Sequence, residues 1–477
     1  MGKHVWAVDS AAARLTDAAK TGSNGGADAP GGGATTTAAA QQPQRGAAAA
    51  PGGAQAQQAQ GEWFAESVES ADGGEGPAGA PVFHEGHYEW RWGSRIRYYS
   101  AGDSGPPLLL VHGFGVGGYH FDRNFAQLSR HFRVFALDLL GQGGSWPADT
   151  AVGPDPELGP LMYSADVWTL QLQEFLTSIA GAGPGCPAYV AGNSLGGYLA
   201  VNLAGSRPDL VKGLVMLNAT PFWSFRTPGQ ALGLMEGIGL DGTVPVPKTV
   251  KTLIERLWWR SLSSPTTVES LLSLVYAGPI NDARLLARIL EATEHPGAID
   301  AFASIVLSPK TARSFDENLA ALSCPVLLCY GRDDPWVVPI WGQRFKRAVP
   351  HAAYYELSDV GHCPHHEAPN AVNHVLTNWI HAVETRLASL GSSSGADAAA
   401  ISSGGGGGGG GEVGSSSGGG DPLLVDGPLR VGESLRIAEA RGSEVVVSHV
   451  AGAPRNVFER ADAAVFAAGR WLRAMLG

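Results

Sequence analysis

The chain has 477 residues, enough for two or three average domains, but many of its 66 glycines concentrate in the first eighty residues and after Ser389. We therefore expect one large folded domain in the middle of the chain, between low-complexity flanks. The net charge of −11, with no basic run interleaved with aromatic residues, argues against nucleic-acid binding, and the lack of about 18 consecutive apolar residues predicts no membrane span.

The N-terminal region, residues 1–81, is predicted to be disordered. Its central part, residues 21–61, consists mainly of Ala, Gly, Gln, Thr and Pro and lacks the apolar periodicity that would offset the entropy lost on ordering. An organelle transit segment is an alternative. Asp9, Asp17 and Asp28, with few arginines, depart from the Ser- and Arg-rich, acid-poor composition of such segments.

A regular pattern of short apolar segments begins at His87. The alternation in YEWRWGSRIRYYSAG predicts a hairpin around Gly93. Six further strands are predicted in PPLLLVHGFG, FRVFALDLLGQGGS, PAYVAGNS, VKGLVMLNATP, CPVLLCYGRDDP and AAYYELSDVGH, with helices that include Tyr163–Ile179 and Pro369–Ser389. This alternation predicts an α/β fold over residues 82–390, with a mostly parallel central sheet flanked by helices on both faces.

Residues from about 222 to 309 interrupt this alternation, because their pattern is helical and contains no clear strand. The segment is rich in aromatic residues, which include Phe222, Trp223, Phe225, Trp258 and Trp259. An insertion at this point between two sheet strands is expected to form a helical lid over the carboxyl ends of the strands.

The C-terminal part begins with a Gly/Ser-rich linker, residues 391–420, which contains ISSGGGGGGGGEVGSSSGGG. Residues 421–477 regain order, with two predicted strands in SLRIAEA and SEVVVSHV. NVFERADAAVFAAGRWLRAML predicts an amphipathic helix whose apolar side carries Phe458, Val465, Trp471 and Leu472. This side could pack on the main domain. It could instead contact a membrane surface, which the helix arginines favour and Glu459 and Asp462 weaken.

The sequence Gly192-Asn193-Ser194-Leu195-Gly196 lies between a predicted strand and a predicted helix. In this context a G-x-S-x-G pattern is typical of a nucleophile elbow, where glycines avoid clashes with the neighbouring strand and helix. A serine nucleophile needs a base, an acid that orients the base, and N–H donors for the oxyanion. Ser194 is therefore the candidate nucleophile, and the backbone N–H groups of Leu195 and Phe114 are the candidate oxyanion donors.

The candidate acid and base follow Ser194 in the order that this arrangement requires. Asp333 and Asp334 lie in the loop after one predicted strand, and His362 follows the next strand. His365 and His366 lie beyond that loop and are interpreted as surface or helix N-terminal residues. His112 and Asp138, which follow earlier strands, are interpreted as structural loop residues.

Cysteines and histidines are the other residue types that could supply functional groups. The four cysteines, Cys186, Cys324, Cys329 and Cys363, form no C-x-x-C pair, a pattern typical of reduced thiols in an intracellular or organellar protein. The 14 histidines and the acidic residues show no metal-ligand spacing such as H-E-x-x-H, so we predict no metal site and no cofactor.

The core resembles a known family over residues from about Gly113 to Val375. The matching stretches are GFGVGGYHFDRN, FALDLLGQGGS, AGNSLGGYLA, VKGLVMLNATPFW, ASIVLSP, YGRDDPWV and GHCPHHEAPNAVN. The G-x-S-x-G pattern indicates only the α/β-hydrolase superfamily. The more specific LNATPFW, DPWV and GHCPH resemble the pheophytinases, chloroplast esterases that remove phytol from magnesium-free chlorophyll. In such hydrolases the acid usually lies three positions after the loop glycine, here Gly331, so the resemblance selects Asp334.

The resemblance implies a serine esterase that hydrolyses the phytyl ester of pheophytin, a small-molecule tetrapyrrole ester, in the chloroplast stroma or at the thylakoid surface. Phe114, Trp223 and Trp336 are candidate substrate-binding residues, although each aromatic could equally pack the lid against the sheet. Two alternatives remain. One is a chlorophyll or other lipid ester hydrolase with the same triad, and the other is a non-catalytic binding protein on this fold.

Overall fold

The computed structural model describes residues 83–149, 152–220, 259, 261, 263–280, 282–307, 311–399, 428–440 and 442–464. The N-terminal region 1–81, residues 400–420 of the predicted linker, and Trp223 lie outside the described residues. Where the chain is described, none of its helices combines the length and apolar character needed to cross a membrane.

One mixed sheet forms the centre of the described structure. Its strands are β1 (His84–Trp90), β2 (Ser94–Ala101), β3 (Pro107–Val111), β4 (Arg133–Leu137), β5 (Trp146–Pro147), β6 (Ala188–Asn193), β7 (Val211–Leu217), β8 (Val326–Gly331), β9 (Ala353–Leu357), β10 (Ser434–Ala438) and β11 (Glu444–His449). The strand order is β1-β2-β4-β3-β6-β7-β8-β9-β11-β10, and β5 pairs with β2. The six strands from β4 through β9 in this order pair in parallel, which confirms the predicted mostly parallel sheet.

The hairpin predicted around Gly93 is confirmed. β1 and β2 pair antiparallel, with His84 opposite Ser100 and Trp90 opposite Ser94. The turn between them has positive φ angles at Trp92 (57°) and Gly93 (60°), so the glycine stands where the backbone requires the left-handed region.

Every residue of β3, β6 and β8 is buried, because helices cover both faces of the sheet. Alternate residues along each strand belong to different cores. Leu109 and Val190 lie in the core on one face, whereas Leu108 and Ala191 lie in the core on the other. This explains why the central strands are continuous apolar runs rather than alternating patterns.

Helices connect the strands and flank the sheet. They are α1 (Asp122–Leu128), α2 (Ala165–Ser178), α3 (Leu195–Ser206), α4 (Pro265–Val275), α5 (Ala283–Glu294), α6 (Ala298–Leu307), α7 (Phe315–Ala320), α8 (Ile340–Ala348), α9 (Pro364–Glu367) and α10 (Pro369–Ala399). α2 and α10 were both predicted, but α10 continues beyond the predicted end at Ser389 into the first residues of the predicted linker. Once a helix is nucleated by packing, each added residue gains a backbone hydrogen bond, so a weakly helical sequence can extend it.

The described part of residues 222–309 is helical, as predicted, and consists mainly of α4, α5 and α6. These helices contact the loop that follows β3. The Phe302 ring of α6 lies 6.4 Å from the Phe114 ring, and the Arg288 guanidinium of α5 lies over the Tyr119 ring. The segment therefore packs beside the carboxyl end of β3, where the candidate oxyanion loop begins.

The two strands predicted in the C-terminal extension are present and belong to the same sheet. β11 pairs antiparallel with β9, with Val447 opposite Leu357, and β10 pairs with β11. Val445 and Val447 are buried in the core on one face of the sheet. The extension thus covers an edge of β9 that would otherwise expose unpaired backbone groups.

The predicted packing of Phe458 on the main domain is wrong. Residues 457–464 are helical, but Val457 and Phe458 are 77% and 83% exposed. The opposite side of the helix faces the protein instead. Asp462 forms ion pairs with Arg344 and Arg347 of α8. These charged contacts fix the orientation of the helix and turn Phe458 to the surface. Val465, Trp471 and Leu472 lie outside the described residues.

Candidate active site

Ser194 occupies the sharp turn between β6 and α3. Its φ of 52° and ψ of −116° are unusual for a residue other than glycine, so the turn holds the serine in a strained conformation. A side chain at Gly192 would collide with the carbonyl of Gly196, and one at Gly196 would collide with the carbonyl of Val111. These close approaches explain the two glycines that flank Ser194 in the sequence.

Asp334 is buried in the loop after β8, whereas Asp333 is exposed. Oδ1 of Asp334 accepts hydrogen bonds from the backbone N–H groups of Trp336 (2.8 Å) and Val337 (2.9 Å). Oδ2 lies 2.7 Å from Nδ1 of His362. Burial by itself would raise the pKa of Asp334, but the hydrogen bond and charge of His362 outweigh it and lower the pKa, so the ionised form is favoured.

Asn218 is a second partner of Asp334 that sequence analysis missed. It follows β7 with a φ of 42°, and its side-chain Nδ2 donates to Oδ2 of Asp334 over 2.7 Å. Its Oδ1 accepts the N–H of Gly331 at 2.8 Å. Asn218 therefore ties the acid loop to the neighbouring strand end. An asparagine directly after a buried strand, where such residues tolerate positive φ, was the available signal.

His362 is buried in the loop after β9, and Asp334 occupies its Nδ1 side. The backbone of His362 is also fixed. Its N–H donates to the carbonyl of Val275 at 2.8 Å, and its carbonyl accepts from Nδ2 of Asn193 at 2.9 Å. Because Asn193 precedes Ser194, this last bond joins the serine turn directly to the histidine loop. The structure thus brings the candidate acid and base together and places the serine turn against them.

The two candidate oxyanion donors belong to segments that adjoin Ser194. Leu195 is the first residue of α3, so its N–H belongs to the first turn, whose donors have no partner within the helix. Phe114 lies in the loop after β3. The adjacent Gly113 is so close that an added Cβ would lie 3.3 Å from Cβ of Ser194. The loop that carries Phe114 therefore lies against the serine turn.

His112 and Asp138 hold this loop in place, in agreement with the structural roles predicted for them. His112 is fully buried, Nε2 accepts the N–H of Leu139 at 2.9 Å, and Nδ1 lies 2.6 Å from the carbonyl of Gly113. Burial lowers the pKa of His112, which favours the neutral ring that these bonds require. Asp138 accepts the N–H of Gly118 at 2.6 Å and pairs with Arg97 at 2.8 Å.

A series of aromatic rings surrounds these groups. Trp336 is 49% exposed, and its ring centroid lies 6.4 Å from that of His362. On the other side, Phe302 contacts both Phe114 (6.4 Å) and Trp259 (5.4 Å). Phe302 was not singled out from the sequence, because nothing in the helical pattern distinguishes it from a core residue. These half-exposed rings provide an apolar surface beside the serine turn.

His365 and His366 lie at the N-terminal end of the short helix α9, as one of the two interpretations predicted, but the other, that they are surface residues, is wrong. They are buried, because α9 packs against α1 and residues 118–121. The hydroxyl of Tyr276 lies 2.8 Å from Nε2 of His120 and 3.0 Å from Nδ1 of His366. Nε2 of His365 lies 3.2 Å from Nδ1 of His120. The three histidines and Tyr276 therefore form one buried network, the histidine cluster.

Two findings concern the other candidate groups. The four cysteines are free thiols in the structure, as predicted. Among the described residues, no group of three or more His, Cys, Asp or Glu side chains is arranged to hold a metal ion.

Comparison with known proteins gives relatives for the segment from β3 to α10. A model described as the Alpha/beta hydrolase family matches residues 108–375. Pheophytinase, chloroplastic, from Arabidopsis thaliana is 38% identical over 346 residues, which cover 66% of this chain and 69% of that protein. Lipase 3 of Moraxella sp. (strain TA144) is 28% identical, and the match covers 56% of this chain and 74% of that protein. A pimeloyl-[acyl-carrier protein] methyl ester esterase of Vibrio atlanticus (strain LGP32) is 27% identical, and the match covers 56% of this chain and 91% of that protein.

Proposed function

The chain belongs to the alpha/beta hydrolase family and is an ester hydrolase of the pheophytinase-like branch, and we propose that Ser194, His362 and Asp334 form its catalytic triad. The observation that carries the proposal is the continuous set of bonds from Asp334 to the ring of His362, and from the backbone of His362 through Asn193 to the serine turn. These bonds place the proposed acid on the ring of the proposed base and attach the loop of the base to the serine turn, as a triad on these three residues requires.

The reaction follows from these positions. His362 takes the proton of the Ser194 hydroxyl as that oxygen attacks the ester carbonyl. The N–H groups of Leu195 and Phe114 stabilise the oxyanion. Asp334 keeps Nδ1 of His362 protonated and stabilises the imidazolium cation. His362 then gives the proton to the departing alcohol, and a water molecule activated by the same base hydrolyses the acyl-enzyme.

We propose that the substrate is the phytyl ester of pheophytin, which is cleaved to pheophorbide and phytol. The similarity to a relative named pheophytinase supports this substrate, as do the half-exposed rings of Trp336, Phe114 and Phe302 beside the serine turn. A flat macrocycle and a branched alkyl chain are both bound by burial against apolar surface. We assign residues 222–309 as the lid, and Trp223 within them as a further substrate contact.

The experiment that tests the substrate compares phytol release from pheophytin and from chlorophyll by the purified full-length protein. We expect release from pheophytin to be faster by at least about tenfold. Ser194→Ala is the matched control, because it removes one oxygen and should abolish release from both substrates. Equal rates on the two substrates would instead favour a broader lipid esterase, and release by the Ser194→Ala protein would reject the triad.

We also propose a chloroplast location, with the C-terminal helix contacting the thylakoid surface. The location rests on the relative's name, and the contact rests on the exposed Val457 and Phe458. Deletion of the whole extension would remove β10 and β11 from the sheet. A better test is therefore the double substitution Val457→Ser/Phe458→Ser, which should reduce co-sedimentation with thylakoid membranes severalfold. Val431→Ser, at another exposed position of the extension, is the control, and equal binding by all three proteins would reject the contact.

A further inference from the structure

The carboxylate of Glu367, the last residue of α9, accepts backbone hydrogen bonds from both sides of His362. Oε1 accepts the N–H of Gly361 at 3.0 Å and the N–H of Cys363 at 3.2 Å. Oε2 accepts the N–H of Ala277 at 2.8 Å. A single side chain therefore holds the residues before and after the proposed base, and joins them to the chain that leaves α4.

The backbone groups of His362 itself are held as well. The N–H of His362 donates to the carbonyl of Val275, and the His362 carbonyl accepts from Asn193. A Cβ added to Gly361 would lie 2.6 Å from the nitrogen of Ala277, so the loop and the end of α4 are in direct contact. The position of the His362 backbone thus depends on the end of α4, which lies within the proposed lid segment, and Glu367 is the side chain that bridges the two.

We propose that Glu367 is a positioning residue, which holds the loop of His362 in register with Ser194 and couples it to the end of α4. The inference rests on the proposed role of His362 as the base. A carboxylate suits this position because it only accepts hydrogen bonds, and three N–H donors converge on it. A displacement of the base by about 1 Å can lower the rate about 100-fold, so the contacts matter for catalysis as well as for folding.

The test is Glu367→Gln in the full-length protein, with hydrolysis of p-nitrophenyl butyrate as the assay. The amide must turn its NH₂ group towards one of the backbone donors, which breaks at least one of the bonds. We expect kcat to fall at least about tenfold and KM to stay within about twofold, because this small ester binds without the loop but reacts only with a placed base.

Glu439→Gln is the matched control. Glu439 also accepts two backbone N–H groups, those of Asn370 (3.0 Å) and Ala371 (2.9 Å), but it contacts the start of α10 rather than the loop of His362. The substitution Glu439→Gln should therefore lower the melting temperature without changing kcat by more than about twofold. An equal loss of kcat in both variants, or an unchanged kcat in Glu367→Gln, would overturn the inference.

Two further variants separate a wrong role of Glu367 from a failure of the Glu367→Gln protein to fold and from a wrong assignment of the base. If Glu367→Gln does not fold, Glu367→Asp replaces it. This variant keeps the charge but withdraws the carboxylate by about 1.5 Å, so kcat should again fall, and an unchanged kcat would overturn the inference. His362→Ala tests the premise with the same ester. Full activity of that variant would reject the proposed base itself, whereas its inactivity beside a fully active Glu367→Gln would reject only the role of Glu367.

Discussion

The two carboxylate oxygens of Asp334 accept different sets of hydrogen bonds. This difference explains how one side chain can orient the ring of His362. Oδ1 accepts two backbone N–H groups, whereas Oδ2 accepts the amide of Asn218 and faces Nδ1 of His362. Four donors are therefore directed at one carboxylate. In the neutral ring this arrangement favours the tautomer with the proton on Nδ1, the one that the proposed role of His362 as the base requires.

Asp334→Asn should lower kcat by about 10³- to 10⁴-fold without unfolding the protein. The amide NH₂ cannot face the two backbone N–H groups, so it must face Asn218 and Nδ1 of His362, which stabilises the wrong tautomer. Steady-state hydrolysis of p-nitrophenyl butyrate measures the effect. Asp333→Asn is the control, since Asp333 is exposed, and its kcat should stay within about twofold of the native value. A comparable loss in the control would mean that the acid was assigned to the wrong neighbour.

The sequence predicted Asp334 and His362, which the structure brings together, and Ser194 on the adjoining turn, but not the residues that hold them. Ser194, the acid loop and His362 follow buried strands at positions typical of a known reaction order. The choice of Asp334 over Asp333 needed the family resemblance. Asn218 and Glu367 act through backbone groups that are remote in sequence, and no local pattern indicates such contacts.

At the scale of elements, the histidine cluster packs α9 against the end of α4 and the loop after β3. Burial lowers the pKa values of His120 and His365 far below the usual value, and neighbouring histidine and arginine charges add to the effect. Burial also lowers the pKa of His366, although the hydrogen bond and charge of Asp282 oppose this shift. The folded protein therefore keeps these rings neutral, whereas the unfolded chain takes up protons on them below about pH 6.5.

Acidification should consequently destabilise the protein in a defined range. Because the folded-state pKa values are depressed, the stability is fully present above about pH 6.5 and is lost as the pH falls below it, by up to about 1.4 kcal/mol per pH unit for each histidine. Calorimetric melting temperatures between pH 7.5 and pH 5 measure this loss. The slope should be smaller in His365→Leu and unchanged in His351→Leu, which alters an exposed histidine. Identical slopes in all three proteins would contradict a role for the cluster.

The strands and most helices could be predicted because each carries its own periodicity. Buried parallel strands are short apolar runs, and the connecting helices have apolar faces. The orientation of the helix over residues 457–464 could not be predicted in this way. Its packing depends on the ion pairs of Asp462 with α8 and of Arg455 with Glu356 (2.6 Å), and these partners lie far away in the sequence.

At the scale of the whole molecule, the C-terminal extension and the hydrolase core form one sheet. β11 covers the edge of β9, whose following loop carries His362, and Arg455 compensates the buried carboxylate of Glu356 in β9. The extension also contacts α8, which follows the loop of Asp334. Its strands therefore support the two elements that present the proposed acid and base.

Truncation after Ala399 should therefore destabilise the hydrolase core itself. It exposes the edge of β9, removes the buried Val445 and Val447, and takes the close partner Arg455 from the buried Glu356, which keeps only the longer contact with Arg332 (3.8 Å). We expect the melting temperature to fall by roughly 5 °C or more. Truncation after Asn456, which keeps both strands and Arg455, should produce a smaller loss. Equal melting temperatures for the native protein and the protein truncated after Ala399 would show that the added strands do not support the sheet.

The central claim is that Ser194 is the nucleophile that His362 activates, and covalent labelling tests it most directly. A fluorophosphonate reacts with an activated serine, and peptide mass spectrometry locates the adduct. We predict one adduct per chain, on Ser194, with labelling lost in Ser194→Ala and slowed by at least about 10³-fold in His362→Ala. An adduct on another residue, or equally fast labelling of His362→Ala, would contradict the account.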